Sequence, residues 1–395
     1  MYRNLPMPDE RLSLYCMAPG CGFGNAACEY AAALAAQGVN LSWEPQYAAF
    51  AEPLPPNKLL RHAPANLRNT LAGVLRRHSQ ADVLLVSRPS GDECVAIRDR
   101  VGARRNYVYV AWELGQLRPG WAEQLNSFDG VMVPSEFNRQ ALLDGGVEVP
   151  VTTIPHIART AAEPAEGTLD AVDAGDFVFY SIGTWGSRKG FEDTVRAYLS
   201  TFTAADAVAL VLRTGPLDYM ASVDAQGKPW PAGSVAFSLA RIIADYPDPA
   251  RVHLLADTLS PEEVDALHQR GDCFLSLSHS EGWGLGAFDA LLHGNPVVIT
   301  GFGGQLDYLG TDYPLAVDYR LGRVDEVPAD SFFAGLEHAQ WAYADQVHAG
   351  ALMRDVYAEP GHWRGLAREK SAQLSEHYSA QRVGTQLAGA LGLAA

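Results

Sequence analysis

Two carboxylates stand eight positions apart in a glycine-rich stretch of the chain. Glu281 and Asp289 lie in SEGWGLGAFDALLHGNPVVITGFGG, residues 280–304, with three glycines between them. A side-chain carboxylate accepts hydrogen bonds from a pair of vicinal hydroxyls, such as those of a ribose or a hexose. The pair therefore predicts recognition of sugar hydroxyls. The alternative interpretation is an acidic loop residue and a solvated helix aspartate.

The glycines around these acids predict an anion site. Gly284, Leu285 and Gly286 lead into a predicted helix, whose N-terminus offers free N–H groups and a partial positive charge to a phosphate. Gly303 and Gly304 follow the strand PVVIT and could bring backbone close to the same anion. A sugar, a phosphate and a second sugar are the parts of a nucleotide sugar.

A pair of cations occurs at a second predicted turn from strand to helix. In SIGTWGSRKGFEDTVRAY, residues 181–198, Gly183 and Thr184 open the loop, and Arg188 and Lys189 close it. Paired cations at such a turn can hold a diphosphate and offset the charge that develops when it leaves. The alternative is two solvated loop cations.

Candidate residues in the first half of the chain are fewer. Gly20, Gly22 and Gly24 lie between the first strand and the first helix, where they predict a tight turn rather than a complete dinucleotide fingerprint. Glu113 follows an apolar strand, and His156 ends the last strand of the first half. Each is a candidate acceptor-side or hinge residue, with an exposed carboxylate and a structural histidine as the alternatives.

Short apolar runs alternate with amphipathic stretches along the chain, which predicts βαβ units and parallel sheets. The first series begins at LSLYCMA and stops at His156, and the second begins at FVFYSIG. A chain of 395 residues exceeds the roughly 250 to 300 that one core accommodates. We therefore predict an α/β fold with two Rossmann-like, doubly wound parallel-sheet domains and a cleft between them.

The predicted boundaries follow from composition. The first domain covers residues 1–157 and the second 158–367, with an apolar-poor linker at about 157–176. A C-terminal helical segment, 368–395, is predicted to cross back to the first domain. Residues 216–234 are rich in glycine and proline and are predicted to be an insertion.

Charge and composition limit the classes of partner. Thirty Lys and Arg against 46 Asp and Glu give a net charge of −16, which disfavours nucleic acid. Five cysteines without a C-x-x-C pair suggest neither a disulfide framework nor a zinc site. The sequence has no apolar run long enough to span a membrane and no apolar signal region at its start. A cytoplasmic protein is predicted, with peripheral membrane contact left open.

Taken together, these segments resemble a known family. SHSEGWGLGAFDALLHGNPVV resembles the E-x7-E motif of the retaining GT-B glycosyltransferases of family GT4, and SIGTWGSRKGFEDTVRAY resembles that family's phosphate-binding segment. VMVPSEFNRQALLDGGV and TIPHI are similar to the end of its first lobe and the crossing into the second. The likeness covers nearly the whole chain in order.

The resemblance implies a role for each matching residue. Glu281 would face the donor sugar, Asp289 the nucleotide ribose, and Lys189 with Arg188 the diphosphate. The backbone of Gly303 and Gly304 would contact the phosphates.

Three positions depart from the family pattern. Asp289 replaces the usual glutamate, and Thr184 stands where many members have an arginine. The first-lobe strand that often ends in His-Asp here reads Trp112-Glu113, so no first-lobe histidine is transferred.

The implied function is transfer of a glycosyl group from a nucleoside diphosphate sugar, UDP- or GDP-linked, with retention of anomeric configuration. No metal ion or other cofactor is expected. Acceptors left open are a glycan, a lipid-linked molecule, a protein or a small molecule. The alternatives are another enzyme of the same fold, an epimerase or a phosphorylase, and a module that binds nucleotide sugar or glycan without turnover.

Overall fold

The computed structural model describes residues 10–47, 55–89, 91–159, 169, 172–218, 234–324, 336 and 338–393. The chain divides into two compact units of discontinuous sequence. The first comprises Met1–Ala162, Asp325–Ala339 and Leu374–Ala395, and the second comprises Glu163–Val324 and Gln340–Gln373. Most of the predicted linker, at 160–168 and 170–171, and most of the predicted insertion, at 219–233, lie outside the described residues.

A six-stranded parallel sheet forms the centre of the first unit, in the order β2-β1-β3-β4-β5-β6. Its strands are β1 Leu12–Met17, β2 Leu41–Gln46, β3 Val83–Ser87, β4 Arg105–Tyr109, β5 Gly130–Val133 and β6 Val151–Thr153. Every residue of β3 and β5 is buried, as expected for parallel strands covered on both faces. The helices that follow in sequence are α1 Gly22–Ala36, α2 Pro56–Leu60, α3 Arg68–Val74, α4 Gly91–Val101, α5 Trp121–Leu125 and α6 Glu136–Asp144.

A second six-stranded parallel sheet, in the order β12-β11-β10-β7-β8-β9, forms the centre of the second unit. Its strands are β7 Phe177–Ile182, β8 Val208–Arg213, β9 Arg251–Leu255, β10 Cys273–Ser276, β11 Val297–Thr300 and β12 Ala316–Val317. An antiparallel pair, β13 Tyr319–Arg323 and β14 Gln340–Ala344, follows. The helices are α7 Phe191–Thr201, α8 Val235–Ala244, α9 Pro261–Arg270, α10 Leu285–Leu292, α11 Leu306–Leu309 and α12 Gln346–Ala358.

The chain ends in two helices, α13 Pro360–His377 and α14 Ala380–Ala390, where a single helical segment was expected. They separate at Ser379, whose ψ of 149° is incompatible with a continuous helix. Leu387 of α14 and Leu391 directly after it are fully buried in the first unit's core, and Gly384 packs closely on Ala33 of α1. The C-terminal helix therefore belongs to the first unit.

The two doubly wound parallel sheets predicted from the alternation of apolar runs are confirmed. In each sheet the strand order reverses beside the first strand of the unit, β1 or β7. Ligands of open α/β sheets bind outside the carboxyl ends of the strands at such a reversal. Within the described ranges, no helix has the length and hydropathy required to cross a membrane.

Candidate functional site

The reversal of strand order in the second unit lies between β7 and β10. The loop after β7 contains a 3-10 turn, Ser187–Lys189, and leads into α7. The loop after β10 carries Glu281 and leads into α10. The loop with the predicted cations and the loop with the first predicted acid thus lie at the carboxyl ends of two neighbouring strands of one sheet.

Glu281, Arg188 and Lys189 form a compact charge cluster at this edge. The Nζ atom of Lys189 lies 2.5 Å from Oε1 of Glu281, and an Nη atom of Arg188 lies 3.1 Å from Oε2. The Glu281 side chain is only 9% exposed, while those of Arg188 and Lys189 are 17% and 27% exposed. Two cations and one carboxylate leave the charge cluster with a net charge of about +1 at neutral pH.

The charge cluster fixes the ionisation state of Glu281. Burial alone would raise the pKa of this carboxyl group, but the charges of Lys189 and Arg188, with hydrogen bonds from Lys189 and Ser278, lower it to about 2. Glu281 is therefore ionised at any pH near neutrality. It can accept hydrogen bonds but has no proton to donate.

Backbone contacts hold the two loops together beneath the side chains. The Arg188 carbonyl accepts hydrogen bonds from the His279 amide at 2.8 Å and from the Ser278 hydroxyl at 3.1 Å. The same hydroxyl lies 3.0 Å from Oε1 of Glu281, and Arg188 donates to the Ser280 carbonyl at 2.8 Å. The positions of the three charged groups are thus set by main-chain hydrogen bonds as well as by their mutual attraction.

Gly190 allows the loop after β7 to approach the loop after β10. Its φ of +58° is left-handed, and a Cβ atom there would lie 2.1 Å from the Leu277 carbonyl oxygen. Only glycine fits such a contact without displacement of backbone. Gly190 was not predicted as a site residue, although its place directly after Arg188 and Lys189 in SRKG is a signal that could have identified it.

The glycine turn after β11 supports Glu281. The Gly304 amide donates to the Glu281 carbonyl at 2.8 Å, and a Cβ atom at Gly303, where φ is +100°, would lie 2.7 Å from that oxygen. We expected the backbone of Gly303 and Gly304 to contact phosphates. In the structure the Gly304 amide is already bonded, because the turn packs directly against the loop that carries Glu281.

Helix α10 begins beside the charge cluster. Gly284 precedes it with a φ of +83°, and no side chain in the described ranges caps its N-terminus. The amides of Leu285 and Gly286 make no hydrogen bond within those ranges, so they remain available to an anion. Asp289 lies on the next turn of α10 and is buried, with 7% of its surface exposed.

The start of the loop after β7 is fastened to the end of β8. The Gly183 amide donates to the Arg213 carbonyl at 3.0 Å, and the Trp185 amide donates to Oγ1 of Thr214 at 2.9 Å. Thr184, between these two attachments, is exposed. Gly183 and Thr184 are therefore held at the same end of the sheet, the carboxyl end of its strands, as the charge cluster.

His279 lies two positions before Glu281 in the loop after β10. Its Nε2 atom is 2.9 Å from Oδ2 of Asp193 on α7. Its ring packs on Trp341 and Tyr343 of β14, at centroid distances of 5.2 and 4.8 Å. The pair of strands β13 and β14 thus supports the loop that carries Glu281.

The candidate residues of the first unit are distant from one another in sequence and have different surroundings. Gly20 has a φ of +108°, Gly22 begins α1, and a Cβ atom at Gly24 would lie 2.0 Å from the Ala18 carbonyl oxygen. Gly20 thus lies in the turn after β1, whereas Gly22 and Gly24 lie in the first turn of α1 and not before it, beside the first unit's reversal of strand order. Glu113 is partly buried in the loop after β4, next to Trp112, whose amide donates to Asn138 at 2.8 Å.

His156 is a buried residue of the first unit. Its Nδ1 atom lies 3.1 Å from the Tyr30 hydroxyl, which in turn lies 2.8 Å from the Tyr109 hydroxyl. Burial lowers the pKa of His156 to about 3, so the ring is neutral at physiological pH. These contacts are those of a buried, hydrogen-bonded histidine, and an acceptor-side or hinge role for His156 stays a prediction.

The thiols and the potential metal ligands among the described residues form no further site. All five cysteines are free thiols, and burial raises the pKa of Cys16 and Cys94 to about 12. In the part of the chain that the structure describes, no group of three or more His, Cys, Asp or Glu side chains could hold a metal ion.

The close approach at Gly190 predicts a large effect of an added methyl group. Gly190→Ala should lower the free energy of unfolding by about 1 to 3 kcal/mol, because it adds left-handed strain and a clash with the Leu277 carbonyl. Gly186→Ala is the matched control at the other end of the same turn, since a Cβ atom there would meet no atom within 4 Å. Equal urea stability of the two variants would contradict this account of Gly190.

The lowered pKa of Glu281 predicts a pH-dependent contribution to stability. A carboxyl whose pKa falls from 4.5 to about 2 on folding stabilises the protein fully above its unfolded value, and the contribution is lost as the pH falls between those values. The stability difference between the wild type and Glu281→Gln should therefore shrink by about 2 kcal/mol between pH 6 and pH 3. Glu376→Gln, at an exposed side chain, is the control and should cost little at either pH. A pH-independent difference for Glu281→Gln would show that the charge cluster does not lower this pKa.

Comparison with known proteins gives a result at the level of structure only. No protein-family model matches the chain, and no curated protein matches it. Sucrose-phosphate synthase from Thermosynechococcus elongatus superposes with a TM-score of 0.66 at 14% identity, covering 96% of this chain and 98% of that chain. Anabaena HepE in complex with UDP has a TM-score of 0.60 at 13% identity, with coverage of 97% and 99%.

A third solved structure agrees with these two. An alpha,alpha-trehalose-phosphate synthase (UDP-forming) from Burkholderia vietnamiensis has a TM-score of 0.62 at 11% identity, covering 98% of this chain and 99% of that chain. At such identities the likeness establishes the fold alone, and the narrower GT4 assignment stays a prediction. With its two doubly wound parallel sheets and near-complete coverage by these structures, the chain has the GT-B fold.

Proposed function

We propose that the chain is a glycosyltransferase that moves a sugar from a nucleoside diphosphate sugar to an acceptor hydroxyl, with retention of anomeric configuration and without a metal ion. The observation that carries this proposal is the charge cluster of Arg188, Lys189 and Glu281 at the reversal of strand order in the second unit. Its net positive charge suits an anionic group, and its ionised carboxylate suits sugar hydroxyls.

The free amides at the start of α10 complete the proposed diphosphate site. The amides of Leu285 and Gly286 and the helix dipole favour a negative charge at this end of α10. Asp289, one turn further along α10, would accept hydrogen bonds from the ribose hydroxyls. The donor would thus place its diphosphate between α10 and the cations, with its transferred sugar at Glu281.

In the proposed reaction, the acceptor oxygen bonds to the anomeric carbon as the bond from that carbon to the diphosphate oxygen breaks. The acceptor attacks from the face that the diphosphate leaves, and a phosphate oxygen of the leaving group takes its proton. Arg188 and Lys189 stabilise the negative charge that develops on the diphosphate. Glu281 cannot be the proton donor because it is already ionised, so its role is to hold and orient sugar hydroxyls.

The solved structures of similar fold support the choice of donor. One is a UDP-forming synthase and another was determined in complex with UDP. A uridine nucleotide is therefore the first donor to test, with guanosine nucleotides second. The acceptor is left open between a glycan, a lipid-linked molecule, a protein and a small molecule.

A direct test measures thermal unfolding of the chain with a panel of nucleoside diphosphates and their sugars. The correct ligand raises the melting temperature by mass action, and about 100 times its Kd adds about 2.7 kcal/mol of stability. The matching donor is then supplied with candidate acceptors, and the anomeric configuration of the product is read by NMR spectroscopy. Activity should persist in chelator, and a flat response to every nucleotide would refute the proposal. Binding without transfer or hydrolysis would favour a binding module, and an isomerised sugar an epimerase.

The two acids should respond differently to substitution. Glu281→Gln should lower kcat at least about 100-fold yet keep affinity for the nucleoside diphosphate, because removing a negative charge leaves Arg188 and Lys189 free for phosphate. Asp289→Asn should instead weaken the affinity for the nucleoside diphosphate about 10- to 100-fold through lost ribose contacts. Asp245→Asn, at an exposed ion pair with Arg196, is the control. The reverse pattern would mean that the two acids have exchanged roles.

A further inference from the structure

Arg213 is a basic residue at the carboxyl end of the second unit's sheet. Neither the sequence motifs nor the proposed mechanism uses it. It is the last residue of β8, and β8 runs parallel to β7 with Arg213 in register with Ile182. The Arg213 carbonyl accepts a hydrogen bond from the Gly183 amide, and the Thr214 hydroxyl accepts one from the Trp185 amide. The end of β8, at Arg213 and Thr214, is therefore attached to the residues on both sides of Thr184.

No acid among the described residues pairs with the charge of Arg213. Within the described ranges its guanidinium makes no hydrogen bond or ion pair, and its Nε atom is buried without a partner. Burial also lowers the pKa of this half-buried group. Other arginines of the unit pair with carboxylates, as Arg251 does with Asp176 and Arg354 with Asp206. A desolvated cation without a counter-ion destabilises the folded state, so stability does not explain why an arginine occupies this position.

The side chain of Arg213 lies on the face of the sheet where α10 begins. Leu212 packs into the core cluster together with residues of α7, so the next residue along the strand points to the opposite face. A Cβ atom at Gly286 of α10 would lie 3.0 Å from the Phe274 ring and 3.4 Å from the carbonyl oxygen of Ile182. Ile182 is the register partner of Arg213, so the start of α10 packs against the strand beside it.

The environment of Arg213 selects an anion as its partner. The unbonded amides of Leu285 and Gly286 and the cations Arg188 and Lys189 lie at the same end of the same sheet. An arginine among such groups can bond two oxygens of one phosphate through its planar fork. Thr184, where the family resemblance led us to expect an arginine, has no charge to offer.

We propose that Arg213 binds a phosphate of the nucleoside diphosphate donor and supplies, from the neighbouring strand, the positive charge that position 184 lacks. This inference rests on the proposed function, because it requires a diphosphate at the end of β7 and β8. It makes Arg213 a substrate-binding residue of the second unit.

The test compares UDP and uridine, and GDP and guanosine if the guanine nucleotide binds, by competition titration of the full chain. Arg213→Gln should weaken affinity for the diphosphate about 10- to 100-fold, the effect of losing a charged hydrogen-bonded partner, and change nucleoside affinity less than about twofold. Arg213→Lys should lose less. Arg196→Gln, which removes an exposed cation paired with Asp245, is the matched control and should bind the diphosphate as the wild type does.

Two further measurements separate this role from a structural one. Ligand-free Arg213→Gln should unfold at or above the wild-type temperature, because the substitution removes a half-buried cation that has no counter-ion among the described residues. Adding Thr184→Arg to Arg213→Gln should restore part of the diphosphate affinity, because it returns a cation to the expected position.

The outcomes that overturn the proposal are distinct. Unchanged diphosphate affinity in Arg213→Gln, with the wild type binding, refutes the role of Arg213 alone. An equal loss for nucleoside and diphosphate would place Arg213 on the base or ribose instead of the phosphate. If the wild-type chain binds neither UDP nor GDP, the proposed function fails together with the inference.

Discussion

The pairing of Glu281 with Lys189 and Arg188 organises the site of the second unit. A buried carboxylate without cations would be protonated or destabilising, and two partly buried cations without a carboxylate would repel each other. Each group therefore depends on the others to remain charged in a desolvated position. This requirement links the conformations of the loops after β7 and β10. The ion pairs and the main-chain hydrogen bonds to the Arg188 carbonyl must form together.

Glycines make this arrangement sterically possible. Gly190 and Gly303 have left-handed φ angles, and each approaches a carbonyl oxygen more closely than a Cβ atom could. Both contacts are made to the loop that follows β10, one at Leu277 and the other at Glu281 itself. Two segments distant in sequence therefore pack against the short loop after β10, which leaves the Glu281 side chain little freedom to rearrange when a ligand arrives.

Much of the fold was predictable from the sequence, because apolar runs such as DVLLVS and PVVIT are local signals. Strand β2 was not predicted, since Glu44 and Pro45 interrupt its apolar pattern, and proline is tolerated there because β2 lies at the sheet edge. The motif residues Glu281, Arg188 and Lys189 were predicted, but their direct pairing was not. Arg213 is notable because no acid among the described residues pairs with its side chain. Such a property arises from the tertiary structure, and the segment LVLRTG cannot reveal it.

The rigid attachment of the cations has a consequence for turnover under the proposed chemistry. The free nucleoside diphosphate carries more negative charge than the intact donor, and Arg188 is held by its bonds to Ser280 and Glu281 rather than on a mobile arm. Groups that stabilise the departing charge therefore also retain the by-product. Such an enzyme would be inhibited by its own nucleotide product, and the release of that product would limit its rate.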